Sequence, residues 1–241
     1  NNSASLPAIN GYGGNTFFFD AKNGALRSGR LVNEPVGQFS VSTGFGTIAS
    51  GFASTALGVG TQASGVASTA IGNTTTASGD YSTSTGFSTF AIGDYSTAMG
   101  RQSSAGALYA TAIGYSTGAR GLASTAMGYV STATGPYSTA TGKYTVASGY
   151  ASTATGDSTE ASGNISFSSG FRATASGDYS TAMGANTVAS GSNSTAVGDN
   201  SEASGSYSTT LGSYVYTNNQ QGTFMIGDHS TTIGLYANLP N

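Results

Sequence analysis

The sequence predicts an all-β protein, a parallel β-roll in which the chain passes through two short strands every 14 residues. Glycine recurs every seven residues from Gly37 to Gly212 and fills 25 of the 26 positions in that frame. Successive sevens alternate between two sequence types, so the full period is 14 residues. Gly, Ser, Thr and Ala together occupy 143 of the 241 positions. A fixed period of this kind indicates a solenoid, and the composition excludes an ordinary core of large apolar side chains.

Composition and charge exclude several classes of protein. Only seven residues are Lys or Arg and the net charge is −3, so no basic surface for nucleic acid is expected. No apolar run approaches the roughly 18 residues of a membrane-spanning helix. The absence of cysteine excludes a disulfide framework and thiolate metal sites. The first 30 residues carry no signal segment, so any signal or membrane anchor is expected outside residues 1–241.

Each 14-residue unit has two halves. One half reads Ser-Thr-Ala-apolar before its glycine, as in residues 68–71, and the other reads Thr-x-Ala-Ser, as in residues 61–64. We expect four or five extended residues in each half, with glycine providing the backbone freedom for a sharp bend between them.

The alternation of side chains along a strand assigns two faces to each half. One position of the second half is alanine in all twelve units, from Ala49 to Ala203. The corresponding position of the first half is always Ala, Ser or Thr. We therefore predict that this uniformly small face lies inside, between two closely spaced sheets.

The opposite faces of the two halves differ in polarity. The residue before glycine is apolar in eight of twelve units in the first half, whereas in the second half only Ile92 is apolar. A roll filled with Ala and Ser buries little apolar area and is marginal alone. We expect identical chains to associate through the apolar positions, which are Leu57, Ile71, Met99, Ile113, Met127, Met183, Val197 and Leu211.

The unit Ser68-Thr-Ala-Ile-Gly-Asn-Thr-Thr-Thr-Ala-Ser-Gly79 resembles the head repeat of trimeric autotransporter adhesins, whose consensus is close to Ser-Val-Ala-Ile-Gly-x-x-Ser-x-Ala-Thr-Gly. The resemblance covers about residues 37–234. It implies a left-handed roll and a homotrimer, with the eight apolar residues as the trimer interface. It also implies a location on a Gram-negative cell surface, at the outer membrane, and adhesion to host matrix proteins or cell-surface receptors.

The repeat frame divides the chain into three parts. Residues 1–36 are expected to form an N-terminal β cap, a hairpin that turns at Lys22-Asn23-Gly24. Residues 37–217 are the head repeats. After Gly212 the frame slips by one residue, so residues 218–241 are either a frame-shifted last repeat or the start of a neck.

Catalysis is poorly supported, so we predict that the protein is not an enzyme and binds no cofactor or metal. His229 is the only histidine, and no G-x-S-x-G elbow is present. Turn chemistry explains the carboxylates that follow glycines: Asp80, Asp94, Asp157, Asp178 and Asp199. In other units the position of His229 is occupied by a tyrosine: Tyr81, Tyr95, Tyr137, Tyr179 and Tyr207. These tyrosines form either a stacked ladder, which we favour, or an exposed adhesive stripe.

An ice-binding β-solenoid is the alternative function. Threonine recurs every 14 residues at Thr55, Thr69, Thr83, Thr97, Thr111, Thr125, Thr139 and Thr153. An ice-binding face needs two parallel Thr columns, whereas here the neighbouring column is Leu, Ile and Met, which suits a subunit interface better. A hexapeptide-repeat acyltransferase would need a six-residue period, which is absent.

Overall fold

The computed structural model describes residues 16–30 and 35–228, together with the backbone of residues 231–236. These residues form β-strands and turns without any helix, and hence without a helix long and apolar enough to cross a membrane. The chain forms two compact units, residues 1–119 and residues 120–241. The all-β prediction is therefore confirmed for the described part of the chain.

The first unit begins with a hairpin and continues as alternating long and short strands. Strands β1 (Thr16–Asp20) and β2 (Ala25–Arg30) are antiparallel, and β2 pairs in parallel with β3. The following strands are β3 (Val41–Phe45), β4 (Ile48–Ala49), β5 (Thr55–Val59), β6 (Gln62–Ala63), β7 (Thr69–Asn73), β8 (Thr76–Ala77), β9 (Thr83–Phe87), β10 (Phe90–Ala91), β11 (Thr97–Arg101), β12 (Ser104–Ala105), β13 (Thr111–Tyr115) and β14 (Gly118–Ala119).

The second unit repeats the alternation and ends in another hairpin. Its strands are β15 (Thr125–Tyr129), β16 (Thr132–Ala133), β17 (Thr139–Lys143), β18 (Val146–Ala147), β19 (Thr153–Asp157), β20 (Glu160–Ala161), β21 (Phe167–Phe171), β22 (Thr174–Ala175), β23 (Thr181–Ala185), β24 (Val188–Ala189), β25 (Thr195–Asp199), β26 (Glu202–Ala203), β27 (Thr209–Ser213), β28 (Thr223–Asp228) and β29 (Thr231–Tyr236).

Each unit is a parallel solenoid with a 14-residue turn, as predicted. Long strands pair in parallel with the long strand 14 residues later, for example Thr55 with Thr69, and short strands pair likewise, for example Gln62 with Thr76. The two halves are unequal, however. The first half forms a strand of five residues and the second forms one of only two, instead of the four or five expected in each.

The core consists of small side chains, which confirms the predicted inner face. All twelve alanines from Ala49 to Ala203 have no solvent exposure, and Ala56, Ser84 and Thr210 at matching positions of long strands are also fully buried. Some buried hydroxyls bond to the local backbone, whereas the equivalent Ser96 and Ser124 hydroxyls have no hydrogen-bond partner. The Ser54 Oγ donates to the Gly51 carbonyl oxygen and the Ser68 Oγ to the Gly65 oxygen, both at 2.8 Å.

The repeated glycines are required chiefly because successive turns touch through them. A Cβ added to Gly58 would lie 1.9 Å from the Gly72 carbonyl oxygen, and one added to Gly65 would lie 2.0 Å from the Gly79 oxygen. Such distances are impossible without moving the backbone. Gly58 also has a φ of +126°, whereas Gly65 is not among the residues with positive φ. The expectation that glycine serves the bends is therefore incomplete, since both columns are needed for close approach.

Non-glycine residues occupy most of the left-handed corners instead. Ala67 and Tyr81, two residues after their glycines, have φ values of +50° and +58°. At the other corner Thr74 has a φ of +54°, and in the second unit Val130 has +55°. This conformation is uncommon outside glycine and is least favourable for β-branched residues. The turn-to-turn hydrogen bonds hold it, as when the Tyr81 N–H donates to the Val66 oxygen at 2.7 Å.

Residues outside the repeat frame lie at both ends. Arg27 pairs in register with the inward Ser42 and is buried, with its Nη2 3.5 Å from the Ala49 carbonyl oxygen. Burial lowers the pKa of this guanidinium, an effect that Asp20 opposes.

In the second unit β28 extends the long-strand sheet in parallel beside β27, but β29 folds back antiparallel to β28. The segment after Gly227 therefore adds a hairpin rather than another parallel turn.

Two glycines near the same corner test whether contact between turns or backbone conformation makes glycine necessary. We predict that Gly58→Ala lowers the free energy of unfolding by about 3 kcal/mol, because the new Cβ combines overpacking with an unfavourable φ. Gly60→Asn should change it by less than about 0.5 kcal/mol, since a Cβ there has only the Thr74 Oγ1 within reach, at 3.9 Å. Urea unfolding checks both variants. Equal losses would show that φ, and not turn-to-turn contact, governs these positions.

A second pair of variants tests the thin core. Ala147 is fully buried and Val146 beside it is exposed. We predict that Ala147→Leu destabilises the fold by about 1–3 kcal/mol, because the two sheets leave no room for a larger side chain. Val146→Leu is the control and should be near neutral. Thermal unfolding followed by circular dichroism measures both, and tolerance of leucine at 147 would contradict the assignment of the inner face.

Candidate interaction surface

The outward face of the long strands carries three columns of side chains. On β11 these are Thr97, Met99 and Arg101, because alternate residues of a strand share a face. Parallel pairing in register stacks each type on its equivalent in the next turn. The face therefore consists of a threonine column, an apolar column and a column at the strand ends.

The apolar column of the first unit contains four of the predicted interface residues. Leu57 stacks on Ile71, and Met99 stacks on Ile113, with Thr85 between the two pairs. Ile71, Met99 and Ile113 are 37%, 40% and 36% exposed, although the alanines next to them in sequence are buried. The structure thus brings these four residues together on an outer surface.

The second unit contains the other four residues, in two groups. Met127 is followed by Thr141, Thr155 and Ser169, after which Met183, Val197 and Leu211 form a continuous run. Ile226 extends this run because it pairs with Leu211, and it is 43% exposed. Sequence periodicity missed Ile226, since the frame slips by one residue before it. The sequence Met225-Ile226-Gly227, with an apolar residue before glycine as in the repeat, could have identified it.

The threonine column lies on the same face, beside the apolar column. Thr55, Thr69 and Thr83 are each partly buried and stack in register. On the described long strands most positions of the adjacent column are apolar, with Thr or Ser at single positions between them, and the third column includes aromatic and charged residues. A second regular Thr column is therefore not part of this face, and the arrangement does not favour ice binding.

In the first unit the column at the strand ends contains an arginine that lies close to two aromatic rings. The Arg101 guanidinium carbon lies 5.5 Å from the ring centre of Phe87 and 5.5 Å from that of Tyr115. These three residues are 14 positions apart and stack in register on β9, β11 and β13. A cation within about 6 Å of an aromatic face is attracted to it. Sequence analysis did not identify this group, although its 14-residue spacing could have revealed it.

The same column of the second unit carries opposite charges. The Lys143 Nζ lies 3.2 Å from the Asp157 Oδ2, and the Ser158 Oγ donates to Asp157 Oδ1 at 2.7 Å. The hydrogen bond from Ser158, followed by that from Lys143, lowers the pKa of Asp157. In this unit Arg172 also lies 5.0 Å from the Phe171 ring centre.

The opposite corner carries the predicted tyrosine ladder. The rings of Tyr81 and Tyr95 are stacked with centres 5.1 Å apart, and Tyr95 and Tyr109 are stacked at 5.3 Å. The ladder is therefore confirmed in the first unit, where it also includes Tyr109, which sequence analysis did not include. In the second unit Tyr137 instead meets Tyr150 edge-on at 5.6 Å.

Tyr179 and Tyr207 are exposed, and each has a non-aromatic residue at the matching position of the preceding turn. Stacking therefore requires tyrosines on consecutive turns. His229 lies outside the described residues.

Carboxylates at this corner connect successive turns. The Asp80 Oδ1 accepts the Val66 N–H at 2.8 Å, and the Asp94 Oδ1 accepts the Asp80 N–H at 2.9 Å. In the second unit the Asp178 Oδ1 accepts the Asn164 N–H at 2.9 Å. The predicted structural role is thus confirmed for these three aspartates, but their hydrogen bonds join turns 14 residues apart. Asp157 and Asp199 lie at the other corner, at the ends of long strands.

These features define a class of protein: a parallel β-solenoid with a small-residue core, whose long strands present outward apolar columns. The family model for the YadA head domain repeat, which spans two copies, matches residues 49–73, 63–89, 91–117, 119–145, 140–164, 161–187 and 189–214. The matched segments cover more than half of the chain, so the chain belongs to the family that carries YadA head repeats.

Membership of this family has functional consequences. YadA-type heads are surface-exposed domains of bacterial autotransporters, they are in general not enzymes, and they indicate a function of the trimeric adhesin type. No curated protein matches the chain.

The inter-turn carboxylates provide a prediction at this corner. Asp94→Ala should lower the free energy of unfolding by about 1 kcal/mol, because it removes the acceptor of the Asp80 N–H. Asp94→Asn keeps an acceptor oxygen and should be close to wild type, since Asn164 accepts the Tyr150 N–H in the same way. Amide hydrogen exchange at Asp80 is the readout. Unchanged exchange in the alanine variant would contradict the bridging role.

Proposed function

We propose that the chain is the surface-exposed head of a homotrimeric adhesin that attaches a Gram-negative bacterium to host cells or extracellular matrix. It acts by binding, without catalysis and without a cofactor.

The observation that carries this proposal is the outward apolar column. Three apolar residues of the first unit and three of the second are each more than a third exposed in a single chain: Ile71, Met99, Ile113, Met183, Leu211 and Ile226. Contiguous exposed apolar residues usually mark an interaction site. Association of identical chains around a symmetry axis covers such a column in every chain at once.

The repeated surface supports adhesion without a deep binding pocket. A homotrimer presents three copies of each remaining outer face, and each face repeats its features every 14 residues. Several weak contacts made together give a much higher apparent affinity, because each contact raises the effective concentration for the next. An extended matrix protein or a dense cell surface provides such repeated contacts.

Charged substitutions in the apolar column test this proposal. Ile71→Asp combined with Ile113→Asp should convert the trimer to monomer, because the interface would bury charges without partners. Ile92→Asp is the matched control, since Ile92 is 52% exposed on the short-strand face. Sedimentation equilibrium gives the oligomeric state, and binding to immobilised collagen, fibronectin, laminin and host cells gives adhesion.

We expect loss of the trimer together with loss of adhesion in the double variant, and neither loss in the control. A wild-type chain that is monomeric at micromolar concentration would contradict the proposal. So would a trimer that withstands both substitutions.

A further inference from the structure

In the repeat turns of the first unit the charges are few and lie at opposite corners. Within residues 35–119 the only charged side chains are Asp80, Asp94 and Arg101. Both aspartates precede long strands, at the corner of the tyrosine ladder, whereas Arg101 ends β11 on the outward face. The carboxylates of Asp80 and Asp94 belong to adjacent turns, and like charges this close repel each other unless a cation is near.

Arg101 cannot neutralise these carboxylates within its own turn. Asp94 comes before β11 and Arg101 is its last residue, so the length of the strand alone separates them by more than about 13 Å. Among the described residues the only ion pair is that of Lys143 with Asp157. Asp94 uses one carboxylate oxygen for the Asp80 N–H, and it is exposed, as is Arg101.

In a cyclic trimer, the Arg101 corner of one copy and the Asp80–Asp94 corner of the next can lie side by side. In a cyclic trimer the contacts are heterologous, so one surface of each copy meets a different surface of the next. If the apolar columns face a common axis and the chains are parallel, the strand ends of one copy lie beside the strand starts of the next. This step rests on the proposed trimer.

We propose that Arg101 of each copy binds the Asp80–Asp94 corner of the next copy, forming three equivalent ion pairs around the apolar column. The rings of Phe87 and Tyr115, on the turns before and after, both lie 5.5 Å from the guanidinium carbon and position this exposed group, whose N–H groups can donate to carboxylates. The pairs fix the order of the chains around the axis and their register along it. A copy displaced by several turns would leave Arg101 opposite turns that carry no carboxylate.

The second unit also has a carboxylate at the tyrosine corner and an arginine at the opposite corner, where Lys143, Asp157 and Asp199 lie as well. Among the described residues of this unit Asp178 is the charged residue at the tyrosine corner, and Arg172, beside Phe171 and near Asp157, lies at the opposite corner one turn earlier. The offset of one turn is about 4.8 Å, which an arginine side chain can span. The same contact between copies therefore brings Arg172 to Asp178.

Cross-linking of introduced cysteines tests the geometry directly, because the chain contains no cysteine of its own. The double variant Arg101→Cys with Asp94→Cys should form a covalent trimer with a short bismaleimide cross-linker, seen in denaturing gels, because an arginine–aspartate pair separates the two Cα atoms by more than the roughly 7 Å that a disulfide spans. Each single variant should give none, since identical positions do not meet in a heterologous contact. Arg101→Cys with Tyr95→Cys is a second pair that keeps the hydrogen bond of Asp94 to Asp80. Asp94→Cys with Gln62→Cys, on the short-strand face, is the negative control.

Charge reversal measures the ion pairs themselves. Arg101→Asp should raise the protein concentration at half dissociation of the trimer about tenfold, because it places three like-charged contacts in the ring. Combining it with Asp94→Arg should restore most of the loss. Arg120→Asp is the control for net charge, because Arg120 is exposed and follows Ala119 on the short-strand side.

These experiments distinguish a failure of the proposed ion pairs from a failure of the proposed trimer. Covalent trimers from both double variants, with restoration by the charge swap, support the ion pairs. A wild-type trimer that neither cross-links nor shows coupling between the two reversals overturns the ion pairs and leaves the trimer standing. Cross-linking of Arg101→Cys alone also overturns them, and a monomeric wild type overturns both proposals.

Discussion

Contact between the glycines of successive turns is the constraint on which the rest of this structure depends. Any Cβ at Gly58 or Gly65 would lie about 2 Å from a carbonyl oxygen of the next turn. Because two such columns define each turn, the sheets are held close together, and the buried positions of the repeat turns hold mainly Ala, Ser and Thr, with Val215 as the largest fully buried side chain. Large apolar side chains are consequently excluded from the interior and must lie outside, on the long-strand face or at the corners.

The sequence was sufficient for the period, the parallel pairing and the inner face, because these depend on strict repetition over many units. Other features depend on contacts that a single repeat does not contain. The left-handed corners are adopted by residues as different as Ala67 and Tyr81, so residue type does not mark them in the sequence. The place of Ile226 follows from the extra residue before β28, which moves it back into the column of Leu211. The position of Arg101 between two rings requires neighbours 14 residues away on both sides.

The corners and the outward face have distinct physical roles. At the tyrosine corner, stacked rings and carboxylate bridges stabilise the connection between turns. The outward face contributes little to the stability of one chain, since its apolar residues remain partly in water. This separation of roles suits an adhesin-type head. If other copies of the chain cover the apolar column, the residues of the short-strand face and of the other outer surfaces can change in sequence. Binding properties can then change without disturbing the glycine contacts.

The central claim is that the apolar column left outside the thin core is covered by other copies of the chain. The most direct measurement is the solvent accessibility of the methionine methyl groups, by NMR with a soluble paramagnetic agent. Met99 and Met183 are 40% and 41% exposed in one chain, and Met127 occupies the same column in the second unit. The account predicts that all three methyl groups are protected in the native protein at micromolar concentration and become accessible in the Ile71→Asp, Ile113→Asp variant. Full accessibility of these methyl groups in the wild-type protein would contradict it.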